Sequence, residues 1–510
     1  MNRVPRNIRE LASSGNPAAD VILAPEQSPM TRAGLATQID ETVRKLRSLG
    51  IRPDDHIAIV HHDGPHMAAL FLAISSGAAA APLNPAYKRE EFEFYMTDIE
   101  AKALVIQADL DSPAREVAKQ LGIAVINVVP SPDGIAGKFS LEADQPVGPA
   151  VTGDSGDISD NVALVLHTSG TTSRPKIVPL THRNLAASAN NIARTLGLSD
   201  GDRSLIIMPL FHIHGLVGAL LSSLHAGGSV YCAGSFNALK FFGWLAESKV
   251  SWYSAVPTMH QAILGRAERN KDIVAAQKLR FVRSSSASMP PALMQTIEKL
   301  YGCPVIEAYG MTEASHQMAS NPLPPASRKP GTVGLAAGPD VAVMDDSGQL
   351  LPPTKEGEIV IRGANVTKGY AKNPGANESA FTNGWFRTGD LGYIDEEGYL
   401  TISGRLKEII NRGGEKIAPR EVDDVLMEHP AVAQVVTFAL PHEKLGEAVA
   451  AAVILKEGAS ASENDLRGFV SGRLAGFKVP SKIVFVPEIP KGPTGKMQRI
   501  GMAKRLGIVE

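Results

Sequence analysis

Short apolar, β-rich runs alternate with stretches of helical periodicity along most of this chain, and that alternation restricts it to an α/β architecture. Residues 33–49 carry apolar positions at helical spacing, with Gly50 behind them as a stop signal. His56–Val60 is a β-rich run, and 65–77 reads as a helix of mostly small residues. The runs 103–106 and 163–166 are apolar throughout, and 125–129 is apolar but for Asn127, the pattern of buried strands. Doubly wound, mostly parallel sheets with helices on each side are therefore expected. The longest apolar stretch, 68–83, is interrupted by Ser75, Ser76 and Gly77 and breaks at Pro82, so it reads as a buried helix leading into a strand and not as a membrane span.

A chain of 510 residues exceeds what one hydrophobic core usually serves, so more than one domain is expected. From about Gly331 the texture changes to short alternating strands separated by Gly, Asp-Ser-Gly and Pro-Pro, which predicts an antiparallel or barrel-like piece. Beyond 404–407 comes a compact α+β pattern, with helices over 419–428 and 462–474 and strands over 432–439 and 448–455. The expected division is a large domain over 1–404 and a small mobile one over 405–510, hinged near Lys407. A formal charge of -2 provides no basic footprint for nucleic acid or an anionic membrane. Two cysteines exclude a disulfide scaffold and suit a reducing compartment. The first residues lack a signal-peptide apolar core, and the closing LGIVE is not a peroxisomal address. A cytoplasmic protein, monomeric or homodimeric, is the expectation.

Four segments carry chemistry. In LHTSGTTSRPKIVP, residues 166–179, five hydroxyl residues (Thr168, Ser169, Thr171, Thr172, Ser173) surround Gly170, and Lys176 closes the run between two apolar stretches. Such a loop supplies N–H groups, hydroxyl donors and a cation to a polyphosphate, although it is not a Walker loop. In EAYGMTE, residues 307–313, a ring can stack on a nucleobase, a hydroxyl can bond phosphate and a carboxylate can hold Mg²⁺. In GWFRTGD, residues 384–390, an aspartate behind a glycine turn can accept both ribose hydroxyls. In PKGPTGK, residues 490–496, a Gly/Pro loop presents Lys496 near the end of the chain.

Together with GRLKEIINRGGEKIAPREVD, these motifs resemble the adenylate-forming superfamily of acyl-CoA synthetases, luciferases and peptide-synthetase adenylation domains, in its order and over nearly the whole chain. The resemblance implies ATP, Mg²⁺ and coenzyme A as the partners of a small carboxylate. It implies that Thr168, Ser169, Gly170, Thr171, Thr172 and Lys176 hold the β- and γ-phosphates. Tyr309 would stack on adenine beside Ser286, Ala287 and Ser288, within a nucleotide site that also takes in Glu307, Ala308 and Gly310. Thr312 would contact the α-phosphate, Glu313 would bind Mg²⁺, and Asp390 with Arg405 would hold the ribose. Lys496 would be the catalytic lysine of adenylation. Lys407 would be the pivot on which the small domain swings, bringing Arg412, Gly413, Gly414 and Glu415 to the pantetheine.

The acid pocket departs from a greasy acyl tunnel. PLFHIHG, residues 209–215, and the runs after Glu313 and before Ala287 offer His212, His214, His316 and Ser286, with Arg283 as a further cation. Buried polar groups of this kind must be paired, so they suit a short acid with a second carboxylate and reject an apolar chain. The run YGMTEASHQMASNPLPP resembles that of the superfamily's oxalyl-CoA synthetases, so oxalate is the expected acid. Malonate or another short acid, and loading of a carrier protein in place of free CoA, are the alternatives.

Overall fold

A computed structural model of the protein describes residues 5–153, 156–168, 175–490 and 498–509. The chain divides into two compact units: Met1–Thr168 with Ile177–Val341 and Ile361–Ala380, and Ser169–Lys176 with Ala342–Val360 and Phe381–Glu510. The boundary expected at 404/405 falls inside the second unit, at the entrance to its last sheet.

The first unit holds two mostly parallel sheets. The seven-stranded one runs Phe139–Ala143, Ala124–Pro130, Ala103–Gln107, His56–Val60, Ala79–Pro82, Val162–His167, Ile177–Thr181, antiparallel only at its two edges. Its central strands are the uniformly apolar runs: residues 57–60 and 103–106 have no exposed surface, as burial on both faces demands. The expected 65–77 helix spans Pro65–Ser75, with Pro65 in its first turn where the missing N–H costs nothing. The helix expected over 33–49 is Arg32–Ser48, capped by the Thr31 hydroxyl, and Gly50 takes the left-handed φ of +86° that the stop requires.

The nine-stranded sheet positions the site. Its order is Leu335–Ala336, His316–Ser320, Val305–Met311, Phe281–Ser284, Trp252–Ala255, Arg203–Ile206, Ser229–Cys232, Asp20–Leu23, Met30–Thr31. The strands from Asp20–Leu23 through Val305–Met311 run parallel to one another. Ligands of such sheets bind beyond the carboxyl ends of the strands, and there the chain places Ser254, Arg283 and the 285–289 loop.

In the second unit, the antiparallel piece expected after Gly331 is a five-stranded sheet containing Asp340–Met344, Gly357–Arg362, Trp385–Ile394 and Phe381–Thr382, with Leu400–Arg405 also pairing Trp385–Ile394. A second five-stranded sheet carries Glu415–Ile417, Ile410–Arg412, Gly446–Leu455 and Val432–His442, and Lys482–Phe485 pairs Gly446–Leu455 in parallel. The helices Pro419–Met427 and Glu463–Ser471 bury Val422, Leu426, Leu466 and Val470 against Ile410, Val435 and Val453 of that sheet. Among the described residues, no helix is long and apolar enough to cross a membrane.

Candidate active site

The run EAYGMTEASHQMAS folds as a single β-hairpin. Val305–Met311 pairs antiparallel with His316–Ser320, with Met311 opposite His316, and a 3₁₀ turn over Thr312–Ala314 joins them. Glu307 to Met311 thus lie in a strand, whose partner covers one edge. The turn closes because Ser315 and His316 accept positive φ, +49° and +101°. Such strain persists only where the surroundings hold it, and here the Ser188 hydroxyl donates to the Ser315 carbonyl at 2.6 Å while the Asn365 amide donates to the Ala314 carbonyl at 2.8 Å.

Glu313 is buried at the hairpin tip. Its Oε1 accepts a 2.9 Å bond from the Tyr370 hydroxyl, and its backbone carbonyl accepts from Thr367 N at 2.7 Å. Burial and the neighbouring carboxylate push the Tyr370 phenol up, so it stays a donor and orients the carboxylate. An anionic oxygen pair fixed at one edge is a donor set that suits Mg²⁺. Tyr370 was missed in the sequence, where KGY carries no signal of its own.

The 285–289 loop leaves the Arg283 strand through Ser286, whose φ of +71° turns it sharply. The Ser285 hydroxyl donates to the Ala308 carbonyl at 2.9 Å, and Met289 N donates to Glu307 Oε1 at 3.0 Å. Glu307 thus ties this loop to the strand carrying Tyr309, and both Glu307 and Tyr309 are buried. Thr168 follows the Val162–His167 strand, and the base of its loop is fixed by the His167–Ile177 rung and by a 3.0 Å contact from His167 Nε2 to Asp98 Oδ2. Ser169, Gly170, Thr171, Thr172 and Lys496 lie outside the described residues.

His214, His316 and Ser286 come together. The His214 and His316 rings stack at 4.9 Å with a 24° interplanar angle. His214 Nδ1 lies 3.0 Å from the Ser286 Oγ, and its Nε2 lies 2.6 Å from the Ser254 Oγ. Arg283 NH1 donates to His316 Nε2 at 3.0 Å, and NH2 donates to Gln317 Oε1 at 3.2 Å. His214 starts a wide π-helical segment, His214–Leu221, all of it buried; such segments are rare and concentrate at functional sites. Gly218 in it is required by packing, since a Cβ there would stand 2.5 Å from His316 Nε2. The third expected histidine, His212, is partly buried, and its ring lies against Phe211 with centroids 4.6 Å apart. Ser254, Gln317 and Gly218 were not legible in the sequence, because each joins the site only through sheet register or helix packing.

In the second unit, Asp390 is buried and paired across the sheet with Arg405, whose Nε is 2.8 Å from Asp390 Oδ1. The glycine turn expected before Asp390 is corrected. Gly389 (φ +75°) lies inside the ten-residue strand Trp385–Ile394, where the Glu358 carboxylate accepts its N–H at 2.8 Å. Lys407 is exposed on the 3₁₀ turn Leu406–Glu408. Arg412 and Glu415 are opposed residues of a hairpin whose two-residue turn is Gly413 and Gly414 (φ +61° and +96°), the conformation that demands glycine. Lys176 precedes the Ile177–Thr181 strand and is half-buried.

Residues 11–371 match the AMP-binding enzyme family and residues 421–496 match the AMP-binding enzyme C-terminal domain. The chain belongs to the AMP-binding enzyme family. This AMP-binding enzyme is 45% identical over 475 residues to an oxalate--CoA ligase of Arabidopsis thaliana, with 92% of each chain covered. It is 41% identical to an oxalate--CoA ligase of Saccharomyces cerevisiae, covering 87% of this chain and 86% of that one. Among solved structures it is similar to ATP-bound MatB from Rhodopseudomonas palustris (TM-score 0.87, 29% identity, 99% of each chain). It is also similar to o-succinylbenzoate CoA synthetase from Bacillus subtilis in complex with ATP and magnesium ion (TM-score 0.82, 28% identity, 97% of this chain and 99% of that one). The α/β architecture and the adenylate-forming superfamily expected from the motifs are both borne out.

Proposed function

We propose that this enzyme activates oxalate: a carboxylate oxygen attacks the α-phosphorus of ATP, pyrophosphate leaves, and the sulfur of coenzyme A then displaces AMP from oxalyl-AMP to give oxalyl-CoA. The observation that carries the choice of acid is the donor-rich cluster of His214, His316 and Ser286 above a buried arginine. An apolar acyl chain there would cover the Ser286 hydroxyl, the partly exposed end of this cluster, and give its proton no acceptor, whereas the second carboxylate of a short acid accepts it. The two oxalate--CoA ligase relatives support the same acid.

In this reading the roles follow the motifs. Thr168, Ser169, Gly170, Thr171, Thr172 and Lys176 cradle the β- and γ-phosphates, Tyr309 stacks on adenine beside the 286–288 backbone, and Thr312 takes the α-phosphate. Asp390 and Arg405 bind the ribose. Glu313 holds Mg²⁺, which when bound offsets the charge of the polyphosphate. Arg412, Gly413, Gly414 and Glu415 face the pantetheine once the 405–510 portion pivots at Lys407. The cytoplasm, where ATP and coenzyme A are available, is the proposed compartment.

ATP/pyrophosphate exchange over a panel of oxalate, malonate, acetate and butyrate tests the acid. Oxalate is expected to give the highest kcat/KM; exchange with malonate or butyrate and none with oxalate would overturn the assignment. A second test probes the pocket. Gly218→Ala places a methyl group where the His316 ring now sits, a clash of the kind that costs about 1–3 kcal/mol. Oxalate-dependent exchange should fall at least about tenfold while the KM for ATP stays put. Unchanged oxalate kinetics in a folded Gly218→Ala enzyme would remove the two histidines from the acid site.

A further inference from the structure

The Arg283 side chain has no exposed surface and no carboxylate partner among the described residues. Burial alone pushes its guanidinium down to about 9, and its Nε lacks any hydrogen-bond partner. His260, packed nearby, adds no second positive charge, because burial pushes its imidazole down to about 4. A buried cation without an anion costs several kcal/mol, so its retention calls for an explanation beyond packing.

The hydrogen bonds supply one. A guanidinium has donors and no acceptor. The 3.0 Å bond from Arg283 NH1 to His316 Nε2 therefore requires Nε2 to present its lone pair, which leaves the proton of a neutral His316 on Nδ1. The tautomer is thus deduced from the partner's chemistry. That Nδ1 edge lies against Gly310, inside the nucleotide hairpin: a Cβ on Gly310 would stand 2.9 Å from it. The arginine cannot rotate away, because Gln317 Oε1 holds NH2 while its own amide nitrogen donates to the Ala337 carbonyl at 3.0 Å. Arg283 and Ser254 are also paired across adjacent strands, and NH1 lies 3.4 Å from the Ser254 Oγ. The field of the cation turns the serine lone pairs toward itself and its proton toward His214 Nε2, 2.6 Å away. His214 Nδ1–H then points to the Ser286 Oγ, freeing the Ser286 proton to donate onward.

We propose that Arg283 is a positioning residue for acid selection: from beneath the stacked pair it sets His316 as the Nδ1–H tautomer and polarises Ser254, His214 and Ser286 outward, so that donors backed by one buried positive charge meet the second carboxylate of a small dicarboxylate. This rests on the oxalate reading above and adds the device that enforces it. Arg283 does not touch the acid; it acts through His316 and the Ser254–His214–Ser286 chain. Its charge is balanced when the acid arrives, and a monocarboxylate leaves it unbalanced.

The test uses the full-length enzyme with isotope-labelled histidine and nitrogen-detected NMR. His316, assigned by loss of its signals in His316→Gln, is expected to carry its proton on Nδ1 in the wild-type protein. A proton on Nε2, or on both nitrogens, overturns the proposal without need of any Arg283 variant. Arg283→Met keeps the volume and removes the buried charge, a change that cores usually tolerate. It is expected to raise the KM for oxalate by about 10²-fold, as loss of charge-backed hydrogen bonding does, with the KM for ATP unchanged and the preference for oxalate over acetate lost. Arg283→Lys, a single point charge, should restore only part of that preference. Arg283→Met that stays folded with its oxalate-to-acetate ratio intact, or that weakens ATP and oxalate equally, overturns the proposal. If the wild-type enzyme ignores dicarboxylates altogether, the oxalate reading fails, and the tautomer measurement still decides the role of Arg283.

Discussion

Lys496→Ala is expected to lower adenylate formation by on the order of 10²–10³-fold, the usual consequence of removing one electrostatic contact to a developing charge. Two anions meet in this step, since a carboxylate approaches a polyphosphate. In the proposed mechanism Lys496 is the cation that relieves the repulsion at the α-phosphate and stabilises the five-coordinate phosphorus. Once the adenylate has formed, the same lysine has no charge to stabilise, so thioester formation from supplied oxalyl-AMP should proceed close to the wild-type rate. The two half-reactions are measured separately, by pyrophosphate exchange and by coenzyme A consumption with the preformed adenylate. Equal losses in both would show that Lys496 supports the fold or the swing, and not the first chemical step.

Arg499→Met should weaken the C-terminal sheet by about 3–5 kcal/mol, the cost of leaving a buried ion without its partner. Arg499 NH1 is 2.6 Å from Asp423 Oδ2, its Nε is 3.1 Å from Glu408 Oε2, and NH1 also donates to the Thr437 carbonyl at 3.0 Å. One side chain thereby joins the helix Pro419–Met427, the strand Val432–His442 and the 3₁₀ turn that holds Lys407. Hydrogen exchange reads the result: opening free energies of amides in Val432–His442 and Gly446–Leu455 should drop by that amount, with amides of the first unit unaffected. Burial already pushes the Asp423 carboxyl up with the guanidinium in place, and removing Arg499 raises it further. A carboxyl whose folded pKa exceeds its unfolded one binds more protons when folded, so stability falls as pH rises through that window. The deficit of Arg499→Met should therefore be smaller in mild acid than at neutral pH. Exchange that is unchanged in the variant would mean that the ion triad contributes nothing.

How much was legible follows from how local each signal is. The strands His56–Val60 and Ala103–Gln107 were readable because burial on both faces leaves an uninterrupted apolar run. The helix Pro419–Met427 was readable from its spacing. The hairpin at Tyr309 was not, since the pairing that makes 307–311 a strand comes from His316–Ser320. Asp390 misled in the same way: a positive-φ glycine before it resembles a turn, and only pairing with Leu400–Arg405 keeps the chain extended through it.

The sequence by itself determined the family, the α/β class and the residue types of the proposed acid pocket, because motif order and apolar periodicity are properties of neighbouring residues. Tertiary structure alone decided which of those residues meet. Ser254 reaches Arg283 through strand register, His214 reaches Ser254 through a wide helical turn, and Gly218 admits the His316 ring. His212, two residues from His214, packs its ring against Phe211. Register and helix pitch are set by packing across distant segments, and a buried charge acquires its role only from what surrounds it.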